Sequence, residues 1–285
     1  MDVLIGYFKE ANYSWIFLGL FFGILSHLSR AYRWKFMLEP LGFKPKFANN
    51  VLAVLVGYLV NLALPRAGEV SRALVLTNYE NVPFEKGFGT IVAERIADLI
   101  MMLSIVLITL FVQFDFIYNL LTKNFNPTKI IIGLAVLTIG FYIFSSFVKK
   151  AKSGFLLKIK TFVSGLIEGV TSIFKMKNKW AFIFHTIFIW VMYVAMFWAT
   201  IPAIDGLNVP LGGILIGFIA GGFSIAATNG GIGLYPIAVA GALALFDIPT
   251  EPATAFGWIM WTAQTAMIII FGGLAFLVLP IYNKK

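Results

Sequence analysis

Apolar residues run along this chain in long blocks separated by short polar joints. A helix needs about 20 apolar residues to cross a hydrocarbon core of about 30 Å. Five runs meet that length, at about 13–32, 88–112, 129–148, 180–204 and 253–280. Two others fall short. Val51 to Leu64 spans only about 21 Å at the helical rise. Leu211 to Ala227 is interrupted by Gly212, Gly213, Gly217, Gly221 and Gly222. Each short run ends in a polar break, "LPRAGE" or "AATNGGIGLYP", and then resumes as a further short helix.

The breaks have a local chemistry. Pro65 lacks a backbone donor and disfavours helix at Leu64, so it ends the first half-helix. Gly68 is expected to allow the turn. Glu69 and Ser71 fall at the start of the next half-helix, where the positive dipole end favours acceptors. In the second break, Thr228, Asn229, Gly230, Gly231 and Gly233 form a neutral tip with free backbone groups. Non-helical backbone at membrane depth is tolerated only where protein or a water-filled cavity surrounds it.

Lysine and arginine positions decide how these segments thread. If both short runs turn back as re-entrant hairpins, 49–80 and 211–246, the chain starts outside and crosses five times. One side then carries Arg30, Arg33, Lys35, Lys44, Lys46, Lys86, the eight lysines from Lys149 to Lys179, and Lys284 and Lys285. The other side carries Lys9, Lys123 and Lys129, with Arg66, Arg72 and Arg95 at membrane depth. The positive-inside bias makes the first side cytoplasmic. The two hairpins then enter from opposite faces. Their flanks correspond weakly: "VPFEKG" (82–87) and "IPTEPA" (248–253) align at an offset of 166. The expected architecture is an all-α polytopic membrane protein. It has about five full spans plus two re-entrant broken-helix hairpins in an inverted-topology repeat. A single transmembrane domain, 1–285, would comprise one half at about 13–148, a connector at about 149–178 and a second half at about 179–285.

Composition sharpens this picture. Of 285 residues, 60% are hydrophobic and 12% charged, against about 25% charged in soluble domains. The mean hydropathy is +0.89. The net charge of +9 reflects membrane orientation rather than nucleic acid, because the lysines cluster on one side. With no cysteine and only His27 and His185, neither a metal site nor a cofactor is expected. The opening "MDVLIGYFKEANYSWIF" lacks a basic n-region and a cleavage site, so the first apolar run reads as a retained span. The segment 155–177 mixes basic and apolar residues and reads as a helix lying on an anionic cytoplasmic surface. Trp15, Trp34, Trp180 and Trp198 read as aromatic-belt residues and Tyr235 as an interfacial anchor. His27 reads as buried or interfacial, without catalytic duty. Gln264 offers an interhelical hydrogen bond.

The candidate site is a set of charges at membrane depth. Glu94 and Asp98 are four apart, hence on one helical face. Arg95 lies beside them, and Arg66, Glu69 and Arg72 sit at the first break. Even by the lower scales a lone charge at a helix centre costs about 2.5–3.5 kcal/mol. Six separate ones would be prohibitive, so mutual pairing is expected, with a face open to water or ligand. Arginine beside a half-helix N-terminus suits a bidentate grip on phosphate or carboxylate. The same charges could equally lock the hairpin onto its neighbour.

"NLALPRAGEVSRALVL", "GTIVAERIADLIMML" and "TNGGIGLYP" together resemble the lysylphosphatidylglycerol synthase transmembrane-region family. That family includes the flippase domain of the bacterial multiple peptide resistance factor. Its P-x-x-G-E-x-x-R motif corresponds to Pro65, Gly68, Glu69 and Arg72. Its G-T-x-x-x-E-R-x-x-D motif corresponds to Gly89, Thr90, Glu94, Arg95 and Asp98. A late P-G-G-x-G-x-x-E-like motif reads Asn229, Gly230, Gly231, Gly233 and Pro236, with the proline and glutamate replaced. Members usually carry one more N-terminal span than is counted here. The resemblance implies a flippase-like protein of the bacterial cytoplasmic (inner) membrane that moves a lipid or lipid-linked headgroup between leaflets. The lipid would be an anionic or aminoacylated phospholipid. The soluble synthase domain of multidomain relatives has no counterpart in this length. Two other readings stay open: a membrane-embedded lipid group transferase with Glu94 or Asp98 as base, and a scaffold or accessory subunit for a lipid-modifying enzyme. A homo-oligomer is compatible with all of them.

Overall fold

A computed structural model describes residues 2–124, 126–150, 153–157, 159–160 and 176–284. Among them the chain is helical, with no strand. In chain order the helices are α1 (Asp2–Glu10), α2 (Tyr13–Leu38), α3 (Phe47–Ala63), α4 (Ala67–Glu80), α5 (Phe84–Val112), α6 (Phe114–Asn124), α7 (Pro127–Lys150), α8 (Lys179–Thr200), α9 (Leu211–Ala227), α10 (Leu234–Ala244) and α11 (Thr250–Tyr282).

Four of these are long and apolar enough to cross a membrane, among the described residues: α2 with its short 3-10 extension to Leu41, α5, α8 with its extension to Ala203, and α11. They cover four of the five expected spans. The fifth expected run, about 129–148, is helical as α7, and its apolar stretch there is Thr138–Val148. Many large apolar side chains point outward, among them Phe111, Ile237, Ile281 and Phe184. That is the surface a bilayer solvates, since lipid tails are as apolar as these side chains. The protein is an all-α polytopic membrane protein.

The chain divides into two compact units. One holds Met1–Ile105 with Met176–Lys285; the other holds Val106–Lys175, including α6 and α7. Most of the expected surface helix at 155–177 lies outside the described residues.

Within the first unit, α2 packs along α8, and α11 packs against both α3 and α10. The two short apolar runs each fold back as a helical hairpin, α3 on α4 and α9 on α10. Small residues let the backbones approach. A Cβ on Gly68 would sit 2.0 Å from the Gly57 carbonyl oxygen, and one on Gly257 would sit 2.7 Å from Pro236 Cα. On Gly272 it would sit 2.7 Å from Leu59 Cβ.

The first break differs from the expected turn. Gly68 lies inside α4, and the left-handed residue is Arg66 at φ 63°. Gly68 therefore serves close packing, and its N–H donates to Asn61 Oδ1 at 2.8 Å. The second break turns as its glycines suggest: Gly230, Gly231 and Gly233 all have positive φ. Thr228 Oγ1 accepts from the Gly231 N–H at 3.0 Å and closes that turn. The two tips meet, because Asn229 Nδ2 donates to the Leu62 carbonyl at 2.7 Å.

The main apolar core joins α8, α9, α10 and α11 around Phe197, Tyr235, Val239, Leu243, Phe256 and Ile259. Tyr235 is buried against Gly221 rather than anchored at an interface. It fills the groove that a side chain at position 221 would have occupied.

Candidate functional site

The charged residues are organised by α2, α4 and α5. On α5, Glu94 and Asp98 share a face, one turn apart, as their spacing predicts. On α4, Arg72 comes less than two turns after the break. The third element is α2, which brings Arg30 and Arg33.

These two arginines were expected among the cytoplasmic charges, and the structure corrects that. Arg30 and Arg33 are buried, at 3% and 0% exposure. The first span does not stop near residue 32 but continues as helix to Leu38. A charge ends an apolar run only when it lacks a partner, and here both have one. Arg30 Nη1 donates to Glu94 Oε1 and, at 2.7 Å, to Asp98 Oδ2. Arg33 Nη2 lies 3.0 Å from Asp98 Oδ1 and 3.2 Å from Glu94 Oε1. Arg72 grips Glu94 with both terminal nitrogens, 3.3 Å to Oε1 and 3.0 Å to Oε2. Glu94 thus joins three helices through three guanidinium groups, and such bidentate charged pairs are the strong class of hydrogen bond.

Aromatic rings support the arginines. The Arg72 guanidinium lies 4.4 Å above the Trp34 ring, and Arg33 lies 5.4 Å from the Phe182 ring. Trp34 is fully buried rather than part of an aromatic belt. Its Nε1–H donates to Thr90 Oγ1 at 2.8 Å, and the Thr90 hydroxyl in turn donates to the Gly87 carbonyl at 2.7 Å. Arg33 Nη1 also donates to Thr186 Oγ1 on α8 at 3.0 Å. Trp15, Trp180 and Trp198 are exposed.

The remaining candidates lie at the edge of this core or beyond it, Arg95 Nη1 standing 3.9 Å from Asp98 Oδ2. Arg95, 43% exposed at its side chain, pairs with Glu69 at 2.6 Å on the rim. Asn61 Nδ2 reaches the other Glu69 oxygen at 3.3 Å. Arg66 is exposed at the hairpin tip and forms no ion pair among the described residues. The predicted set therefore splits: Arg72, Glu94 and Asp98 in the buried centre, Glu69 and Arg95 at its edge, and Arg66 outside it. Thr228, Asn229, Gly230, Gly231 and Gly233 stand at the opposing tip, next to Leu62.

The charge balance changes accordingly. The expected set was neutral, three cations with three anions. The buried centre holds Arg30, Arg33 and Arg72 against Glu94 and Asp98, a formal excess of one positive charge. The Nε–H groups of all three arginines are buried without partners among the described residues. Buried polar groups are ordinarily hydrogen-bonded, so this centre retains donor capacity for an anion. One sequence signal could have revealed the two missed arginines. Ser26, Ser29, Arg30, Arg33 and Met37 recur at helical spacing, which continues the face past the end of the apolar run. No group of three or more His, Asp or Glu able to hold a metal occurs among the described residues.

Comparison with known proteins agrees with this architecture. A UPF0104 membrane protein, MJ1595, of Methanocaldococcus jannaschii is 33% identical over 101 residues, covering 34% of this chain and 30% of that protein. A glycosyltransferase, AglD, of Haloferax volcanii is 32% identical over 78 residues, covering 27% of this chain and 12% of that protein. The matched stretch is therefore less than a third of either relative. No solved structure matches the chain at a significant level. Residues 4–272 match the family described as lysylphosphatidylglycerol synthase TM region, and the chain belongs to that family.

Proposed function

We propose that this protein translocates an anionic phospholipid, or a lipid-linked headgroup, between the leaflets of a cytoplasmic membrane. The observation that carries this reading is the buried, net-positive cluster of Arg30, Arg33 and Arg72 beside two hairpins whose tips touch. A cluster of this kind is costly in a membrane and suits a passing phosphate. The hairpins would enter from opposite faces as an inverted repeat, and their tips would part to give alternating access. With Arg30 and Arg33 removed from the surface count, fourteen basic residues still fall on the proposed cytoplasmic side against three on the other. The Lys-rich connector and the C-terminus would therefore be cytoplasmic.

A transferase using Glu94 or Asp98 as base is the weaker reading. Every oxygen of both carboxylates already accepts from an arginine. A role beside a lipid-modifying enzyme has one specific support, since a relative named as a glycosyltransferase contains a matching segment in 12% of its length.

The test is fluorescent-lipid scrambling in proteoliposomes, with anionic, aminoacylated and zwitterionic lipids, for wild type and Arg72→Ala. Translocation of anionic lipid, lost in the folded variant, is the expected result. No translocation of any lipid by well-folded wild type would overturn the proposal and favour the accessory role, which co-purification of an enzyme would then establish.

A further inference from the structure

The helix after α5 takes no part in the charged site. α6 has 11 residues, about 16 Å at the helical rise, and is too short to cross a membrane. Its surface has two exposed faces. Phe114, Tyr118 and Leu121 are exposed, with Ile117 half-buried beside them, and the four span an arc of about 100°. The Phe114 and Tyr118 rings stack at 6.0 Å. Asp115, Asn119 and Lys123 are exposed too, and occupy a separate arc of about 80°. Phe116 and Leu120, on the remaining side, are half-buried.

A helix that exposes one apolar and one polar face fits a boundary between oil and water. Its place in the chain says which boundary. α5 is long and apolar enough to cross a membrane, and its last turns expose Leu107, Ile108 and Phe111. A single residue, Gln113, separates it from α6. The apolar face of α6 thus begins where the lipid-facing surface of α5 ends.

We propose that α6 lies in the lipid–water interface, with Phe114, Ile117, Tyr118 and Leu121 at the acyl boundary and Asp115, Asn119 and Lys123 in the headgroup layer. Asp115 and Lys123 cancel in charge, so burial of apolar surface holds the helix, with no contribution from anionic headgroups. The anchor sets the height of α5. The middle of the hydrocarbon lies about 15 Å below its edge. That distance is about 10–13 residues of helix at tilts of 0–40°. The midplane therefore falls at about residues 101–104, around the exposed Leu103. Glu94 and Asp98 then lie beyond it, in the half of the bilayer away from α6. The charged centre is nearer one membrane surface than the other.

The chain has no cysteine, so single cysteines can be spin-labelled in the full chain in phosphatidylcholine vesicles. Phe114→Cys, Tyr118→Cys and Leu121→Cys report one face of α6, and Asp115→Cys and Asn119→Cys the other. Leu103→Cys, Leu107→Cys and Phe111→Cys report depth along α5. Relaxation by oxygen, which concentrates in the bilayer, is compared with relaxation by a water-soluble nickel chelate. Oxygen should dominate at 114, 118 and 121, and nickel at 115 and 119. Along α5 the oxygen effect should be largest at 103 and smallest at 111. Replacing part of the phosphatidylcholine by phosphatidylglycerol should leave these ratios unchanged. All eight positions are on the surface, so one variant that folds poorly leaves the pattern readable in the others. Immobilised labels reached by neither relaxant at 114, 118 and 121 would overturn the proposal and mean that protein covers that face. Nickel dominance at all five positions of α6 would overturn it in favour of water. An oxygen maximum at 111 would overturn the depth assigned to the charged centre, and deeper insertion with phosphatidylglycerol would overturn anchoring without charge. None of these readings depends on lipid scrambling, so the anchor and the translocation proposal fail separately.

Discussion

The two helical hairpins are built alike and held differently. In the first, α4 is tied to α5 and α2 by five buried charges. In the second, α10 packs against α9 and α11 in an apolar core that includes Tyr235, Val239, Phe256 and Phe197, with Pro236 pressed against Gly257. The weak flank match at an offset of 166 offers one way to pair positions between the two regions. Counted that way, Arg30, Arg33, Arg72, Glu94 and Asp98 correspond to Met196, Ala199, Ala238, Met260 and Gln264. A helical hairpin can thus be locked in place without any charge. An apolar lock would serve stability equally well, since replacing buried ion pairs by apolar groups is often neutral or favourable. The ionic half is therefore where a function beyond holding the fold is sought.

The comparison breaks most sharply at Glu94. Changing Glu94→Met imports the second half's residue but leaves three buried arginines with one remaining carboxylate. A loss of about 3–5 kcal/mol is expected, as for breaking a buried pair from one side. Thermal unfolding in detergent would show it, and an unchanged midpoint would mean that water already neutralises the cluster. The reciprocal test replaces all five charges at once by apolar residues of similar volume, such as Met and Leu. Stability should then be unchanged or up to about 1–4 kcal/mol higher, while lipid translocation disappears. Retained translocation would reduce the cluster to a structural lock.

Packing at the glycines should distinguish the halves less. Gly68→Ala and Gly257→Ala both force a methyl into backbone, at 2.0 Å and 2.7 Å from the nearest atom. Each should cost about 1–3 kcal/mol, with Gly68→Ala the larger. Similar transition temperatures for the two would show that the first hairpin can shift. The smallest effect is expected at the rim. Arg95→Ala breaks a pair with Glu69 that is partly exposed, worth about 0.2–1 kcal/mol. A larger loss would place Arg95 within the buried network and enlarge the site.

Much of this was legible before any coordinates. Runs of apolar residues are a length measurement against the bilayer, so α2, α5, α8 and α11 fall where the runs do. Both breaks were visible because Pro65 disfavours helix at the residue before it and the cluster of Asn229, Gly230, Gly231 and Gly233 favours a turn. The carboxylates Glu94 and Asp98 were identified because they interrupt an otherwise apolar helix at one-turn spacing. The misplaced arginines and aromatic rings share one cause. Arg30 and Arg33 stand near the end of an apolar run, where unpaired arginine means water. Trp34 and Tyr235 stand near expected interfaces, where aromatic rings commonly anchor.

Residue order alone sets what has to be satisfied: how much apolar surface meets lipid, where the helices break, and which acids lie at depth. How it is satisfied follows from the packing of the helices against one another. Partner choice depends on which helix faces which, and helical periodicity specifies a face but not its neighbour. Hence Arg66, close to the acids in sequence, stays outside at the hairpin tip. Arg30, sixty-four residues before Glu94, supplies its counter-charge. Burial then follows from that pairing, because a guanidinium with partners can stay within the helix bundle where a lone one cannot.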